Sequence, residues 1–303
     1  MDIQIIIPVY KPNNKFAEVL EQIKKQIIKN IPVLIIDSGS DKKYFYEIKN
    51  MNCQVKRIDV KTFNHGRTRQ MGIDIFPNKD IYIFLTQDAI LADEYAISNI
   101  IKVFKNKKVG CAYGRQLPHK EASYFARYAR LFNYGTKNYI RTLKDSSKYG
   151  IKTVFLSNSF AAYRNIALRD VGGFPNNVIL SEDMYVATKM LLKNWYIAYC
   201  ADAKVYHSHD YTVIQEFKRY FDIGVFHCRE NWIRKNFGEA EGEGKKFILG
   251  EIQYLLKKNL FLLPEMIVRD GAKFLGYRLG LNEKFLPNAI KKKMSMNSNF
   301  WKN

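Results

Sequence analysis

The chain has 303 residues, a length that suits one large domain or two smaller ones. Hydrophobic residues make up 47% and charged residues 26%, an ordinary globular composition that excludes a disordered chain, a collagen-like repeat and a disulfide-stapled mini-protein. Lysine and arginine number 49 against 29 aspartates and glutamates, a net charge of +20. This balance predicts a polyanionic partner, which could be nucleic acid, an anionic membrane face or a phosphorylated ligand.

The cysteines and the N-terminus bear on the cellular compartment. The cysteines are widely spaced with no CxxC pair, which favours reduced thiols over a metal knuckle or a disulfide framework. The apolar run at 3–9 has no basic stretch before it, so a signal peptide is not predicted. No apolar run approaches the ~18–20 residues that span a bilayer. We therefore expect a cytoplasmic protein, and these features leave association with a membrane surface open.

The first third of the chain alternates short β-branched runs with helix-like segments. This alternation predicts a mostly parallel sheet with helices on both faces. The predicted strands are 3–9, 31–37, 54–60, 80–86 and 109–115, and the predicted helices are about 14–29, from about 68, and about 93–106. Ligands of such sheets bind beyond the carboxyl ends of the strands. The polar residues at these ends are Tyr10, Asp37, His65 and Asp88.

The rest of the chain is less regular. Residues 121–150 have a helical pattern that interleaves aromatic and basic side chains, and 153–164 and 195–207 resemble strands. Between these strands, Ser181 followed by acidic residues is a typical helix start. Long helices dominate from about Val213, and the acidic, glycine-rich stretch at 239–245 predicts a flexible break.

Two common phosphate-binding signatures are missing from the sequence. The first strand is followed by PVYKPNN instead of GxGxxG, which disfavours a dinucleotide-binding enzyme, and no GxxxxGK[ST] motif occurs, which excludes a P-loop enzyme. Acidic residues stand at the strand ends of this basic protein instead. Such carboxylates suit a nucleotide whose phosphates are neutralised by a divalent metal.

Several short motifs follow one another in the order found in inverting family-two glycosyltransferases, which the chain resembles from residue 3 to about 210. They are PVY at 8–10, DSGSD at 37–41, HGRTRQMG at 65–72, FLTQDA at 84–89, GGF at 172–174 and SED at 181–183. Further stretches are similar to bacterial rhamnosyltransferases of surface polysaccharide synthesis: FNHGRTR at 63–69, YHSHDY at 206–211, FKRYFDIG at 217–224 and the final SMNSNFW.

The resemblance implies a domain organisation. It implies a GT-A domain over 1–210, with a nucleotide-binding part at about 1–115 and an acceptor part at about 116–210. The helical region 211–303 would pack on this domain, close to the membrane.

The resemblance also assigns roles to residues on the nucleotide side. Asp37 would accept a hydrogen bond from the N3–H of uracil or thymine, and Pro8 and Tyr10 would shape the base pocket. Arg69, in TRQMG where the family usually has ARNxG, would contact the nucleotide, as would Gln87. As alternatives, Asp37 could be a turn former, Pro8 and Tyr10 core residues, and Arg69 a solvated helix residue.

A metal site is implied around Asp88. The family's DxD motif reads Thr86-Gln87-Asp88 here, so only its last acid is present. One carboxylate is acceptable, because Mg²⁺ is typically held by one or two carboxylates together with phosphates and water. His207 matches a histidine that ligates the metal in relatives, and His209 is the alternative ligand. The implied cofactor is Mg²⁺ or Mn²⁺.

The acidic pair Glu182-Asp183 matches the motif that carries the catalytic base. Asp183 is predicted to take the proton of the acceptor hydroxyl, with Glu182 in support. The alternative is a pair of acids that complement a helix dipole. On the acceptor side, Arg115 and Asn158 are the candidates.

Three functions follow from these patterns. The first is transfer of L-rhamnose from dTDP-β-L-rhamnose to a lipid-linked saccharide in bacterial surface polysaccharide synthesis. The second keeps the fold and mechanism but uses a UDP-hexose or UDP-N-acetylhexosamine. The third is a non-catalytic protein that binds nucleic acid through the basic, aromatic stretch at 115–152. For that stretch we favour an anionic membrane surface over nucleic acid, because members of the family that the chain resembles often extend lipid-linked glycans. The protein is then expected to be peripheral on the inner face of the cell membrane, and a solvated helix is the remaining alternative for the stretch.

Overall fold

The computed structural model describes residues 1–41, 53–239 and 241–301. Nine strands form one sheet in these residues: β1 Ile3–Val9, β2 Val33–Asp37, β3 Cys53–Arg57, β4 Ile81–Leu85, β5 Ile90–Leu91, β6 Val109–Leu117, β7 Tyr139–Arg141, β8 Phe160–Arg164 and β9 Tyr196–Tyr206. The described α-helices are α1 Asn14–Lys25, α2 His65–Ile75, α3 Ala96–Lys102, α4 Tyr124–Asn133, α5 Ser146–Tyr149, α6 Asn165–Asp170, α7 Glu182–Leu192, α8 Val213–Arg229, α9 Asn231–Phe237, α10 Glu241–Lys258, α11 Leu263–Leu281 and α12 Asn288–Met294.

The sheet is mostly parallel, as predicted. Its order is β3-β2-β1-β4-β8-β6-β9-β5, and β7 pairs with β9 outside this path. Strands β1, β2, β3, β4, β6 and β9 run in one direction, and β5, β7 and β8 run in the other. The carboxyl ends of β1, β2 and β4 therefore meet at one edge of the sheet.

The core lies on both faces of this sheet. In β1, Ile6 belongs to one buried cluster, whereas Ile5 and Ile7 belong to the other, because successive side chains of a strand point to opposite faces. Strands buried on both faces have continuous apolar sequences, which explains why the sequence predicts strands at 3–9 and 31–37. Helices α8 and α9 add Phe226 and Phe237 to the first cluster, so the C-terminal helices share the core of the sheet.

Glycines allow α11 to pack very closely on α8. A Cβ atom at Gly276 would lie 2.3 Å from the carbonyl oxygen of Phe217, and one at Gly280 would lie 2.1 Å from that of Phe221. Any larger side chain at these positions would push the two helices apart. The glycine face of α11 is therefore fixed against the body of the protein. No helix among the described residues is long and apolar enough to cross a bilayer.

Two predictions for the middle of the chain are wrong. The helix predicted over 121–150 ends at Asn133, and β7 follows it because Tyr139 packs on Tyr199 of β9 with ring centroids 4.9 Å apart. The strand predicted over 153–164 is formed only from Phe160 onward. Before it, Ser157 and Asn158 use their polar groups in side-chain hydrogen bonds instead of a strand ladder.

Other boundaries also differ from prediction. The first helix stops at Lys25, and the third strand is Cys53–Arg57, followed by a 3₁₀ turn. The segment at 239–245 is not a break, since α10 begins at Glu241; Ala240 itself lies outside the described residues. The two acid–glycine pairs at 241–244 predict flexibility, but contacts of α10 with α4 decide the conformation.

Candidate active site

The ends of β1 and β4 are tied together by one side chain. The amide of Gln87 accepts a hydrogen bond from the Tyr10 backbone nitrogen at 2.8 Å and donates one to the Tyr10 carbonyl oxygen at 3.1 Å. Both polar atoms of Gln87 are thus engaged with backbone, so its direct contact to a nucleotide stays a prediction. The Tyr10 ring itself is half exposed at the mouth of the sheet, available for stacking.

Asp37 ends β2 at the same edge and is almost fully buried. Its Oδ1 accepts a hydrogen bond from the Ser40 backbone nitrogen at 2.9 Å, and its Oδ2 lies 3.8 Å from the Arg57 Nε. Pro8, opposite Ile36 on β2, is partly exposed beside it. The turn-forming hydrogen bond uses Oδ1, while Oδ2 faces Arg57, and the contact of Asp37 to a pyrimidine stays a prediction.

The acidic pair opens α7 in an unusual conformation. Ser181 has φ 59° and ψ 31°, in the left-handed region, and makes no side-chain cap, so the predicted role of its hydroxyl is wrong. Instead, Asp183 Oδ1 accepts the hydrogen bond of the Met184 backbone nitrogen at 2.8 Å. This turn aims two neighbouring carboxylates, Glu182 and Asp183, into the protein.

Asn158 binds both carboxylates at once. Its backbone nitrogen donates to Asp183 Oδ2 at 3.0 Å, and its Nδ2 donates to Glu182 Oε1 at 2.8 Å. The Tyr163 hydroxyl donates to Asn158 Oδ1 at 2.6 Å and so fixes the orientation of the amide. Since Asn158 is buried and every polar atom of its side chain is occupied, it positions the acidic pair; its predicted contact to an acceptor stays a prediction.

Arg69 holds the other side of Glu182. Its Nη1 lies 3.0 Å from Glu182 Oε1, and the two side chains are only 5% and 6% exposed. Burial raises the pKa of Glu182, but the charges of Arg69 and His65 and the hydrogen bond from Asn158 outweigh burial and lower that pKa. Glu182 is therefore the acid of the pair that favours the ionised form, and it is paired with Arg69. A contact of Arg69 to the nucleotide stays a prediction.

The pKa of Asp183 shifts in the opposite direction to that of Glu182. Burial, together with the negative charge of Glu182, raises its pKa to about 7. Two adjacent carboxylates thus have pKa values pushed apart, which is typical of a site that assigns them different roles. Asp183 is the one tuned to exchange a proton near neutral pH.

A second cluster combines Asp88 with two histidines that follow β9. Asp88 Oδ1 lies 3.5 Å from His207 Nε2, and Asp88 Oδ2 lies 3.7 Å from His209 Nδ1. One ligand atom from each of these residues falls within 4.8 Å of the others. Burial lowers the pKa of both histidines, that of His209 to about 3, so both rings are neutral at pH 7. Neutral imidazole and carboxylate are the forms that bind divalent metals.

The hydrogen bonds behind His207 assign its tautomer. Gln116 Nε2 donates to Ser157 Oγ at 2.8 Å, so its Oε1 faces His207 Nδ1, 2.9 Å away. This network assigns the ring proton to Nδ1 and leaves a lone pair on the buried Nε2, which has no hydrogen-bond partner among the described residues. A lone pair opposite the Asp88 carboxylate fits a cation between them, so the residues present suit a divalent metal.

Sequence reasoning missed the supporting residues of both clusters. Gln116 lies within β6, and Tyr163 within β8, where they looked like ordinary strand residues. The alternation of faces along β6 was the available signal, since Gln116 is a buried polar residue in an apolar run. Arg115, the preceding residue, is partly buried on β6, and its acceptor role stays a prediction.

The model of the glycosyl transferase family 2 matches residues 4–172. The chain belongs to this family. Over its whole length it is 45% identical to the O-antigen chain rhamnosyltransferase RfbN of Salmonella typhimurium, of which 97% is covered. It is 42% identical over 99% of its length to the O-antigen chain rhamnosyltransferase WbaN of Salmonella anatum, of which 95% is covered.

Solved structures of this glycosyltransferase's fold are also similar to it. A mannosyltransferase from Pyrobaculum calidifontis, solved with GDP-Man and Mn²⁺, superposes with a TM-score of 0.64 at 15% identity, covering 93% of this chain and 88% of that one. TarS residues 1–349 from S. aureus, solved with UDP-GlcNAc, superpose with a TM-score of 0.55 at 13% identity, covering 94% and 91%. The predicted family and GT-A fold are confirmed.

Proposed function

We propose that this enzyme transfers L-rhamnose from dTDP-β-L-rhamnose to a lipid-linked saccharide in surface polysaccharide synthesis, with inversion at the anomeric carbon. Full-length identity of 42–45% to two O-antigen rhamnosyltransferases supports the donor and the product class. The observation that carries the reaction type is Asp183, a carboxyl with a pKa of about 7 held next to Glu182, whose own pKa is lowered by Arg69.

The proposed step is a single displacement. The acceptor hydroxyl gives its proton to the Asp183 carboxylate while its oxygen forms a bond to the anomeric carbon of rhamnose. The bond from that carbon to the diphosphate oxygen breaks, and its electron pair leaves with dTDP. Asn158 and Arg69 give the two carboxylates different roles. Both bind Glu182 Oε1, so Glu182 stays paired and does not take the incoming proton, which goes to Asp183.

Asp88 and His207 would hold Mg²⁺ or Mn²⁺, with His209 as a further ligand. When bound, the metal would neutralise negative charge on the donor diphosphate. Gln116 keeps the Nε2 lone pair of His207 facing Asp88, which is the state that a metal ligand requires.

The pH dependence of turnover is expected to follow Asp183. Its carboxylate must be ionised to accept the proton, and its pKa is raised to about 7 by burial and Glu182. Activity should therefore be low at pH 5, rise with pH through about 7 and level off above it. The measurement is kcat/KM between pH 5 and 9 at saturating metal. A profile that is flat across pH 7 would show that another group is the base.

A donor competition tests the proposed substrate. Turnover is measured with dTDP-β-L-rhamnose, UDP-glucose and UDP-N-acetylglucosamine, each with an acceptor prepared from the polysaccharide repeat. Rhamnose transfer from the dTDP donor is the expected result. Preference for a UDP-sugar would keep the fold and the base but replace the donor. Oligonucleotide binding without any transfer would instead favour the nucleic-acid hypothesis.

We further propose that the enzyme works on an anionic membrane surface through α11. Its glycine face is buried against α8, and the opposite face exposes Ile267, Val268, Phe274 and Leu275. Phe261, just before the helix, is 85% exposed. Apolar faces of this kind mark interaction sites.

Charges around this apolar face suit anionic lipid. Lys257 and Lys258 precede it and Arg278 closes it, all exposed. The acids of α11 are neutralised, because Glu265 pairs with Arg269 and Asp270 with Lys273. Basic residues near an anionic surface contribute about 1 kcal/mol each.

Phe274→Glu is expected to weaken binding to liposomes that contain phosphatidylglycerol by about tenfold or more, because it removes an exposed aromatic ring that would insert into the lipid and adds a negative charge that anionic lipid repels. Flotation measures the bound fraction. Ile166→Glu, which adds the same charge at an exposed apolar residue of α6, is the matched control. Wild-type protein that does not float with anionic liposomes at low salt would contradict the proposal.

A further inference from the structure

Two arginines from different helices stand beside the Asp88–His207–His209 cluster. Arg130 on α4 donates through Nε to the His207 carbonyl oxygen at 2.8 Å. Arg219 on α8 has its guanidinium carbon 5.7 Å from the centre of the Tyr211 ring. That ring stacks on His209, with centroids 5.2 Å apart and an angle of 28°. Both guanidinium groups therefore lie beside the Asp88–His207–His209 cluster.

Neither guanidinium is neutralised within the described part of the chain. Arg69, Arg229 and Arg269 all form ion pairs with glutamates, whereas no ion pair joins Arg130 or Arg219 to a described carboxylate. Two guanidinium charges beside one cluster without a carboxylate partner cost free energy, which a bound anion would offset.

Arg219 lies at the Asp88 end of the site. Its guanidinium packs against the Tyr211 ring that stacks on His209, and His209 Nδ1 lies 3.7 Å from Asp88 Oδ2. A diphosphate at the Asp88 cluster would therefore lie close to Arg219. Because Arg219 is exposed, its guanidinium can turn towards that ligand.

We propose that Arg219 and Arg130 bind the diphosphate of the nucleotide sugar and stabilise its charge as it leaves. This inference rests on the proposed function. A guanidinium offers paired donors that match phosphate oxygens, and its charge needs no metal. Charge development on the departing diphosphate is where fixed positive groups accelerate transfer. Arg219 lies outside residues 4–172, the part matched by the family model, so the helical region would contribute to the site directly.

The test compares binding of dTDP and thymidine in EDTA, by calorimetry, for the wild type, Arg219→Ala and Arg219→Lys. Arg219→Ala is expected to weaken dTDP about tenfold or more, from the loss of charge-assisted hydrogen bonds, and to leave thymidine unchanged. Arg219→Lys should recover part of the loss. Lys218→Ala removes a charge from the neighbouring position of α8 and is the matched control; it should bind dTDP like the wild type.

The outcomes separate the two proposals. Equal dTDP affinity in the wild type and Arg219→Ala would overturn the role of Arg219, whereas a wild type that binds no nucleoside diphosphate would overturn the proposed function itself. Competition with farnesyl diphosphate, a soluble mimic of a lipid-linked diphosphate, adds a further arm. If Arg219→Ala loses binding of this compound but keeps dTDP, the anion belongs to the acceptor, and the donor assignment is wrong. Should Arg219→Ala not fold, Arg219→Lys decides the question through its dTDP affinity and melting temperature together.

Discussion

Asp183→Asn is expected to lower turnover by about 10²–10⁴-fold, because it removes the general base. The substitution keeps the shape of the side chain, and donor binding should persist, since the Asp88 cluster and Asp37 are untouched. Single-turnover transfer from a labelled donor measures the rate, and calorimetry with dTDP measures binding. An Asp183→Asn enzyme with full turnover would show that Asp183 is not the base.

The neighbouring acid supplies a control with a different outcome. Glu182→Gln leaves the Arg69 guanidinium buried without its anion, and breaking a buried ion pair in this way costs about 3–5 kcal/mol of folding free energy. Denaturant unfolding should therefore show a large loss of stability for Glu182→Gln and a much smaller change for Asp183→Asn. If both variants lose only activity, Glu182 takes part in the chemistry and the division of roles is wrong.

Asp88→Asn is expected to abolish the dependence of dTDP binding on metal. Asp88 is the one carboxylate of its cluster, and its pKa is lowered because the two adjacent histidines outweigh burial. Without this anion, the neutral imidazoles of His207 and His209 retain a divalent ion poorly. Calorimetric titration of dTDP with Mn²⁺ and with EDTA should give the same affinity for Asp88→Asn, in contrast to the wild type.

Two further variants sharpen this test. Asp93→Asn alters an acid five residues away that caps the Tyr95 backbone nitrogen, and its metal dependence should match the wild type. Gln116→Leu removes the acceptor that holds the His207 ring proton on Nδ1, and loss of such a supporting contact lowers metal affinity about 10–100-fold. Metal-dependent binding that survives in Asp88→Asn would place the metal elsewhere.

The sequence predicted the strands that are buried on both faces and missed those decided by distant contacts. Continuous β-branched runs at 3–9 and 80–86 allow few alternatives, and β1 and β4 lie where predicted. In contrast, β7 is only three residues long and is held by aromatic packing and by the Tyr139 hydroxyl, 2.6 Å from that of Tyr113. No local sequence pattern predicts such a strand, because its partner strand lies on another part of the chain.

The candidate site, too, could be predicted only in part from the sequence. Residues directly after strands, such as Asp37 and Asp88, could be placed at one edge because parallel strands end together. The ion pair of Arg69 with Glu182 and the double contact of Asn158 depend on side-chain directions that become defined only when α2, β8 and α7 pack together. The sequence therefore predicted which residues form the candidate site. The pKa difference between Glu182 and Asp183 could be derived only from the folded structure.

The anomeric configuration of the product tests the central claim most directly. The wild-type enzyme is supplied with dTDP-β-L-rhamnose, Mn²⁺ and a saccharide acceptor, and the new glycosidic bond is examined by the one-bond C1–H1 coupling in NMR. A single displacement with Asp183 as base predicts an α-L-rhamnoside. A β-linked product, or no transfer of rhamnose from this donor, would contradict the account.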